Sequence, residues 1–300
     1  MKKTIFLTEV GLRDGLQNVN TILPIRDKLY IIDGLIKAGF KKIQITSFVN
    51  KTLIPQMADA EELISRLPQF NDIIYSGLVL NQKGLDRAIL TGIDQVDLSI
   101  SSSETYSQKN TRMGIYEAMN CLKTMVERAK KSKLKVRAGL QCVWGCIYEG
   151  KPNEDKILKM IDDIVDMEPD IISLADSTGM ANPLTISKLL EQVIKRNPKI
   201  VLNLHLHNTM GLGLANLYSS LPFGINNYDT SFGGLGGSPF IKGSTGNIPS
   251  EETINLLKGL RYDMNIDIKE VSKISLWLQK KIQSSYFGGQ IFESYKNKLT

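Results

Sequence analysis

PIRDKLYIIDGLIKAGFKKIQITSF, residues Pro24–Phe48, reads as one helix leading directly into one strand. Leu29, Ile32 and Ile36 recur at helical spacing and share a face, Pro24 opens the helix and Gly39 closes it. Lys42–Phe48 follows as a short apolar and β-branched run. Outward from this unit the same alternation repeats. Strands are expected at Thr4–Val10, Lys42–Phe48, Ile73–Val79, Gln95–Ile100, Leu134–Gln141, Asp170–Leu174, Val201–His207 and Asn226–Ser231. Helices are expected near Pro24–Ala38, Ala58–Leu67, Gln82–Leu90, Ile115–Lys131, Glu154–Met167, Pro183–Arg196, Leu212–Leu221 and Ser250–Arg261. Eight strand-then-helix repeats that end on a helix fit a closed (β/α)8 barrel, the TIM-barrel form of the α/β class, better than an open doubly wound sheet.

Nothing in the composition marks a linker. The barrel is expected to occupy residues 1–262 and a C-terminal helical extension residues 263–300. In that extension Val271, Ile274 and Leu278 lie at helical spacing beside Trp277, a face suited to packing on the barrel or on a partner such as a second copy in a homodimer. With 300 residues, 42% of them hydrophobic, the chain can bury a large core. Its net charge of +6 is spread over helix surfaces, as at Lys130, Lys131, Lys195, Lys280 and Lys281, and not gathered into a nucleic-acid-binding block. Three cysteines do not make a disulfide framework. The N-terminus has too short an apolar run for a signal peptide, and no run approaches the ~18 residues of a membrane span. A soluble cytoplasmic protein is the expectation, with a small molecule rather than a nucleic acid or a membrane as its partner.

The only two histidines of the chain stand at His205-Leu206-His207. In a strand, residues i and i+2 point to one face, so Asn203, His205 and His207 would enter the barrel while Leu202, Leu204 and Leu206 face the helices. Two imidazoles at the C-terminal end of a barrel strand, where active sites sit, make half of a metal site; a hydrogen-bonded polar pair in the core is the alternative. Asp14, in the segment after the first strand, could add a carboxylate, and Asn247, after the eighth, an amide oxygen. Strands 1, 7 and 8 are neighbours in a closed barrel, so these segments meet. The mixed nitrogen and oxygen set suits Mg2+ or Mn2+ with room for substrate oxygens, and Zn2+ or Co2+ stays open. Arg13 would place a permanent positive charge where an oxygen becomes negative, unless it serves as an ordinary ion pair. Gly233-Gly234-Leu235-Gly236-Gly237-Ser238-Pro239-Phe240 lacks the Lys-Ser/Thr of a phosphate loop and suggests a segment that moves over substrate or a simple connector.

At these residues the chain resembles the 3-hydroxy-3-methylglutaryl-CoA lyases, metal-dependent aldolase-type enzymes of a superfamily that includes isopropylmalate and homocitrate synthases. The likeness is carried by Glu9-Val10-Gly11-Leu12-Arg13-Asp14-Gly15-Leu16-Gln17-Asn18, by Thr46-Ser47-Phe48-Val49 with Pro55-Gln56-Met57-Ala58-Asp59, and by Cys146-Ile147-Tyr148-Glu149-Gly150. Leu174-Ala175-Asp176-Ser177-Thr178-Gly179, His205-Leu206-His207-Asn208-Thr209-Met210-Gly211 and Gly246-Asn247 complete it. The resemblance implies a metal held by Asp14, His205, His207 and Asn247, with Arg13 catalytic and Asp176 in the active site. It implies acyl-CoA substrates bearing a tertiary alcohol.

Two positions depart from the lyase pattern. Ser238 stands where the family carries a catalytic cysteine, and a hydroxyl is a far weaker acid than a thiol. Gln44 stands where the lyases have a glutamate, and an amide orients by hydrogen bonds but exchanges no proton. Cys142, Cys146 and Cys121 are read as packing residues. The expected reaction is retro-aldol/Claisen cleavage of 3-hydroxy-3-methylglutaryl-CoA or a close analogue, with His205 or Asp176 as base, Arg13 on the enolate oxygen and Ser238, or a water it positions, as proton donor. The alternatives are the same chemistry on another hydroxy or oxo acid, in either direction, and a metal-binding homologue without turnover.

Overall fold

In the computed structural model, which describes residues 4–236, 246–282 and 287–296, the eight strands close into one parallel barrel in chain order. They are β1 (Phe6–Glu9), β2 (Lys42–Ser47), β3 (Ile74–Val79), β4 (Gln95–Ser101), β5 (Lys135–Gln141), β6 (Ile171–Asp176), β7 (Leu202–Leu206) and β8 (Asn227–Thr230). The ring is sealed where β1 pairs with β8, from Phe6↔Asn227 to Glu9↔Thr230. Around it lie α1 (Ile25–Ala38), α2 (Ala60–Ser65), α3 (Gln82–Thr91), α4 (Glu104–Thr111), α5 (Ile115–Lys131), α6 (Glu154–Val165), α7 (Pro183–Arg196), α8 (Gly213–Ser220) and α9 (Ser250–Gly259). Two further helices follow, α10 (Ile268–Ile282) and α11 (Ile291–Ser294). No helix among the described residues is long and apolar enough to cross a membrane.

Alternation within the strands sorts the side chains. Val136, Ala138 and Leu140 of β5 and Leu202, Leu204 and Leu206 of β7 are buried toward the helices. Arg137, Gly139, Asn203 and His205 take the opposite face, so the lumen is polar and not filled by layers of branched aliphatics.

The buried stripe of α1 differs from the sequence reading. Ile31, Ile32, Leu35 and Ala38 are buried, while Leu29 and Ile36 are only partly so. The cause is a second neighbour. Helix α10 lies across α1, with the Trp277 ring tilted against Tyr30 at 4.6 Å between centroids, Lys281 on Asp27 at 2.5 Å and, just before α10, Asp267 N donating to Ala38 O at 2.7 Å. Gly39 ends α1 at φ +105°, where a Cβ would come within 2.0 Å of Asn265 O. The chain after α10 also reaches the glycine-rich segment, where Gly289 N donates to Gly233 O at 2.8 Å.

Two local elements were absent from the sequence reading. One is α4, capped by Ser103. The other is a single π-helical turn, Gly11–Gly15, directly after β1, in which all five residues are buried.

Candidate active site

Three segments converge at the C-terminal ends of β7, β8 and β1. His205 ends the inward face of β7, and His207 sits just beyond the strand. There it pairs with Asn247 in an isolated antiparallel bridge, flanked by Asn208 N to Gly246 O at 2.8 Å and Ile248 N to Leu206 O at 3.1 Å. The π-turn after β1 carries Asp14 to the same point. His205 Nε2 lies 3.2 Å from His207 Nε2 and 3.8 Å from Asp14 Oδ2, and His207 Nε2 lies 4.0 Å from that oxygen. The centre of this triangle is about 2.1 Å from each atom, the bond length that Mg2+ or Zn2+ makes to oxygen or nitrogen. Asn247 donates to Asp14 Oδ2 at 2.8 Å, while its own Oδ1 is buried without a hydrogen-bond partner among the described residues. Two imidazole nitrogens and a carboxylate around one point fit a divalent cation, and the residue that touches this carboxylate, Asn247, has an amide oxygen still to be satisfied.

The electrostatics agree. Burial alone would raise the Asp14 carboxyl, but the Arg13 guanidinium and then the two imidazoles hold it well below the usual carboxylate range. Burial, reinforced by His205, lowers His207 to about 4, so it is neutral and able to offer a lone pair near neutral pH. Asp229 Oδ2 lies 3.0 Å from His205 Nδ1. A carboxylate there accepts, which puts the proton on Nδ1 and leaves the Nε2 lone pair facing Asp14 and His207.

Asp229 is part of a larger arrangement across the lumen. Arg137 of β5 donates through Nη1 to Asp229 Oδ1 at 2.6 Å and through Nε and Nη2 to both oxygens of Asp97 at 2.9 Å. Gln44 of β2 donates to Asp97 and accepts from Arg13 Nε, and Arg13 Nη1 pairs with Asp14 Oδ1. A continuous run of hydrogen bonds thus joins Arg13 to His205 through Gln44, Asp97, Arg137 and Asp229. Burial opposes the charge on Arg137, but its two carboxylate partners more than offset that and raise its pKa. The run borders a cavity of about 230 Å³ that opens beside the histidines.

Of the residues singled out from sequence, Arg13, Asp14, Gln44, His205 and His207 line this cavity, and Asn247 adjoins it. Asp176 ends β6 but lies behind the wall that Ala175 and Ser177 form, its carboxylate accepting from Ala181 N at 3.2 Å. Burial raises it to about 7 against the lowering effect of these backbone donors. Ser238 lies outside the described residues. Cys142 and Cys146 are buried together, and burial pushes the Cys142 thiol up to about 12, which leaves it an inert thiol.

The sequence matches the HMGL-like family from residue 4 to residue 277. The chain belongs to the HMGL-like family. It is 34% identical over 280 residues to the hydroxymethylglutaryl-CoA lyase YngG of Bacillus subtilis, a match that covers 93% of this chain and 94% of the relative. The solved structure of the Bacillus subtilis HMG-CoA lyase superposes with a TM-score of 0.94 at 32% identity, covering 98% of each chain. An HMG-CoA lyase from Acinetobacter baumannii, solved in complex with coenzyme A and 3-methylmalate, superposes with a TM-score of 0.91 at 32% identity, covering 98% of this chain and 96% of that one. The family match and the lyases among its relatives together indicate a lyase.

Sequence reasoning missed Asp97, Arg137 and Asp229. The available signal was charge at alternate positions of otherwise apolar strands, as in Val136-Arg137-Ala138 and Val96-Asp97-Leu98.

Proposed function

We propose that the chain cleaves 3-hydroxy-3-methylglutaryl-CoA, or a close 3-hydroxy-3-alkyl analogue, to acetyl-CoA and a 3-oxo acid, with Mg2+ or Mn2+ held by Asp14, His205, His207 and Asn247. The observation that carries this reading is the Asp14–His205–His207 triangle opening onto a cavity with Arg13 at its edge. A divalent cation there supplies Lewis-acid polarisation of substrate oxygens and eases ionisation of the tertiary hydroxyl.

The residues divide the remaining work. His205 has no nitrogen free for proton transfer once Nδ1 is engaged by Asp229 and Nε2 serves as a ligand, and Asp176 lies behind the wall of Ala175 and Ser177, so Asp176 would act as base only through a relay, such as a water, that reaches past that wall. Its carboxyl, raised to about 7, suits exchange near neutral pH. Removal of the hydroxyl proton lets the alkoxide collapse to a ketone. The bond to the neighbouring methylene carbon breaks, and its electron pair passes into the thioester as an enolate. Arg13 uses Nε and Nη1 within the protein, which leaves Nη2 outside both contacts and able to meet the enolate oxygen. Protonation of the enolate carbon completes acetyl-CoA, and Ser238, or a water it orients, is the candidate donor.

The test is to incubate Mg2+- or Mn2+-loaded protein with 3-hydroxy-3-methylglutaryl-CoA and follow acetyl-CoA and acetoacetate by NMR, beside a Ser238→Cys variant. Cleavage by the native chain supports the reading. Gain only in the variant places the difference at the proton donor, and silence from both refutes this substrate.

A further inference from the structure

Gln44 lies in β2, buried in the lumen, between two partners with opposite requirements. On one side Arg13 Nε approaches Oε1 at 2.5 Å, and a guanidinium can only donate. On the other, Gln44 Nε2 meets Asp97 Oδ2. Every other hydrogen bond of the Asp97 carboxylate among the described residues also comes from a donor: Arg137 at both oxygens, Ser76 Oγ at 2.7 Å and Gln95 Nε2 at 2.7 Å. A side chain at position 44 must therefore accept toward Arg13 and donate toward Asp97. A neutral amide does both at once. An ionised carboxylate would turn an oxygen on Asp97 in a water-poor interior, and only its protonated form could bridge the two.

We propose that Gln44 is a positioning residue that holds the Arg13 guanidinium, and that this chain carries permanently the neutral donor–acceptor group that a glutamate at the same place could supply only when protonated. The amide thus keeps Arg13 in place across the pH range without a proton to lose. This rests on the reading of Arg13 as the group that meets the enolate oxygen. The charged groups around position 44 are Arg13 from the π-turn with Asp14 paired to it, Asp97 from β4 with Arg137 of β5 behind it, and Lys42 of β2, which interacts with Asp97 and Arg137; Ser76 of β3 and Gln95 are neutral.

The experiment compares native protein, Gln44→Met, which keeps the side-chain volume, and Gln44→Glu. Mn2+-loaded enzyme is assayed with 3-hydroxy-3-methylglutaryl-CoA between about pH 6 and pH 9, and Mn2+ affinity is measured separately. Loss of Arg13 alignment in Gln44→Met is expected to lower kcat by about 100-fold with KM and Mn2+ affinity little changed. Gln44→Glu is expected to recover toward native kcat at the acid end and to lose it as pH rises, a limb missing from the native profile. A second readout needs no substrate: the Arg13 Nε–H resonance in 15N-labelled protein, assigned by its disappearance in Arg13→Lys. Slow exchange of that proton in native protein and in Gln44→Glu at low pH, with fast exchange in Gln44→Met, supports the proposal. Native kcat in Gln44→Met, an unchanged Nε–H in that variant, or a Gln44→Glu profile that overlays the native one overturns it. If native protein does not cleave the substrate, the proposed reaction fails while the Nε–H measurement still decides the role of Gln44.

Discussion

Replacing Glu9 by glutamine should remove a pH-dependent loss of stability from this protein. Glu9 is wholly buried at the end of β1, where Oε1 accepts from Gly11 N at 2.8 Å and Phe232 N at 3.0 Å. Oε2 lies 2.5 Å from Ser250 Oγ, which lies 2.8 Å from Thr230 Oγ1. Among the described residues no cation pairs with it, and burial raises its pKa from 4.5 to about 8 against the lowering effect of these hydrogen bonds. The neutral acid can donate its O–H to Ser250 Oγ, whose own proton turns to Thr230 Oγ1, and a glutamine Nε2–H can make the same donation while its Oε1 accepts from Gly11 and Phe232. Because the folded-state pKa is raised, the folded protein binds more protons than the unfolded chain above pH 4.5. The resulting stability is fully present below 4.5 and is lost as pH rises through about 8. At about 1.4 kcal/mol per pH unit inside this window, and less near its upper edge, the loss between about pH 6 and pH 8 is on the order of 2 kcal/mol. Urea unfolding of native protein and Glu9→Gln at both pH values measures it as a double difference, in which other titrating groups cancel. A gap between the two proteins that stays constant from pH 6 to 8, or narrows with native protein gaining, would refute the reasoning.

Arg137→Met leaves Asp97 and Asp229 buried without their shared cation, and should cost about 3–5 kcal/mol in urea unfolding. Full native stability in that variant would show the two carboxylates to be neutral in the fold. Asp229→Asn has one carbonyl oxygen for two donors, Arg137 Nη1 and His205 Nδ1, and should weaken Mn2+ binding by about 10- to 100-fold in titration calorimetry. An unaltered Kd would separate Asp229 from the histidine. Metal-stripped protein should gain about 2.7 kcal/mol when Mn2+ is restored at about 100 times the native Kd, read as a rise in Tm, and Asn247→Ala should gain less at that same Mn2+ concentration. Gly39→Ala forces a side chain into a left-handed position against Asn265 O and should lower stability by about 1–3 kcal/mol while leaving metal affinity alone, which calorimetry and thermal melting together would check.

The strands were legible because short apolar or β-branched runs alternate with longer stretches of helical spacing. β5 was expected at Leu134–Gln141 and spans Lys135–Gln141, and β7 loses one residue at either end of the expected Val201–His207. β6 runs on to Asp176, past the expected stop at Leu174, because a buried acid at the end of a strand looks like a turn when its burial is unknown. Helix α4, ETYSQKNT, has only Tyr106 and Ser107 buried, so it carries no apolar period to detect. The π-turn was illegible for a related reason: it buries Arg13 and Asp14, and buried charge runs against every hydropathy rule. The histidine pair and its partners could be found because spacing within one strand and adjacency of strands 7, 8 and 1 are local facts. The Arg137 arrangement could not, since β2, β4, β5 and β8 contribute to it across the lumen, and no spacing along the chain encodes that meeting. Packing of α10 on α1 was legible as an apolar face without an address.

The charged lumen constrains how such a barrel can change over generations. Arg137 serves two carboxylates at once, so losing it strands both, and losing either carboxylate leaves an arginine with a donor aimed at nothing. Viable departures from this state require coordinated replacements, which single mutational steps rarely deliver. A position such as 44 is different, because an acid that already carries its proton and an amide present the same face to Arg13 and Asp97. Drift within the lumen is therefore channelled into exchanges that leave the pattern of donors and acceptors unaltered, while wholesale novelty is pushed outward to the rim.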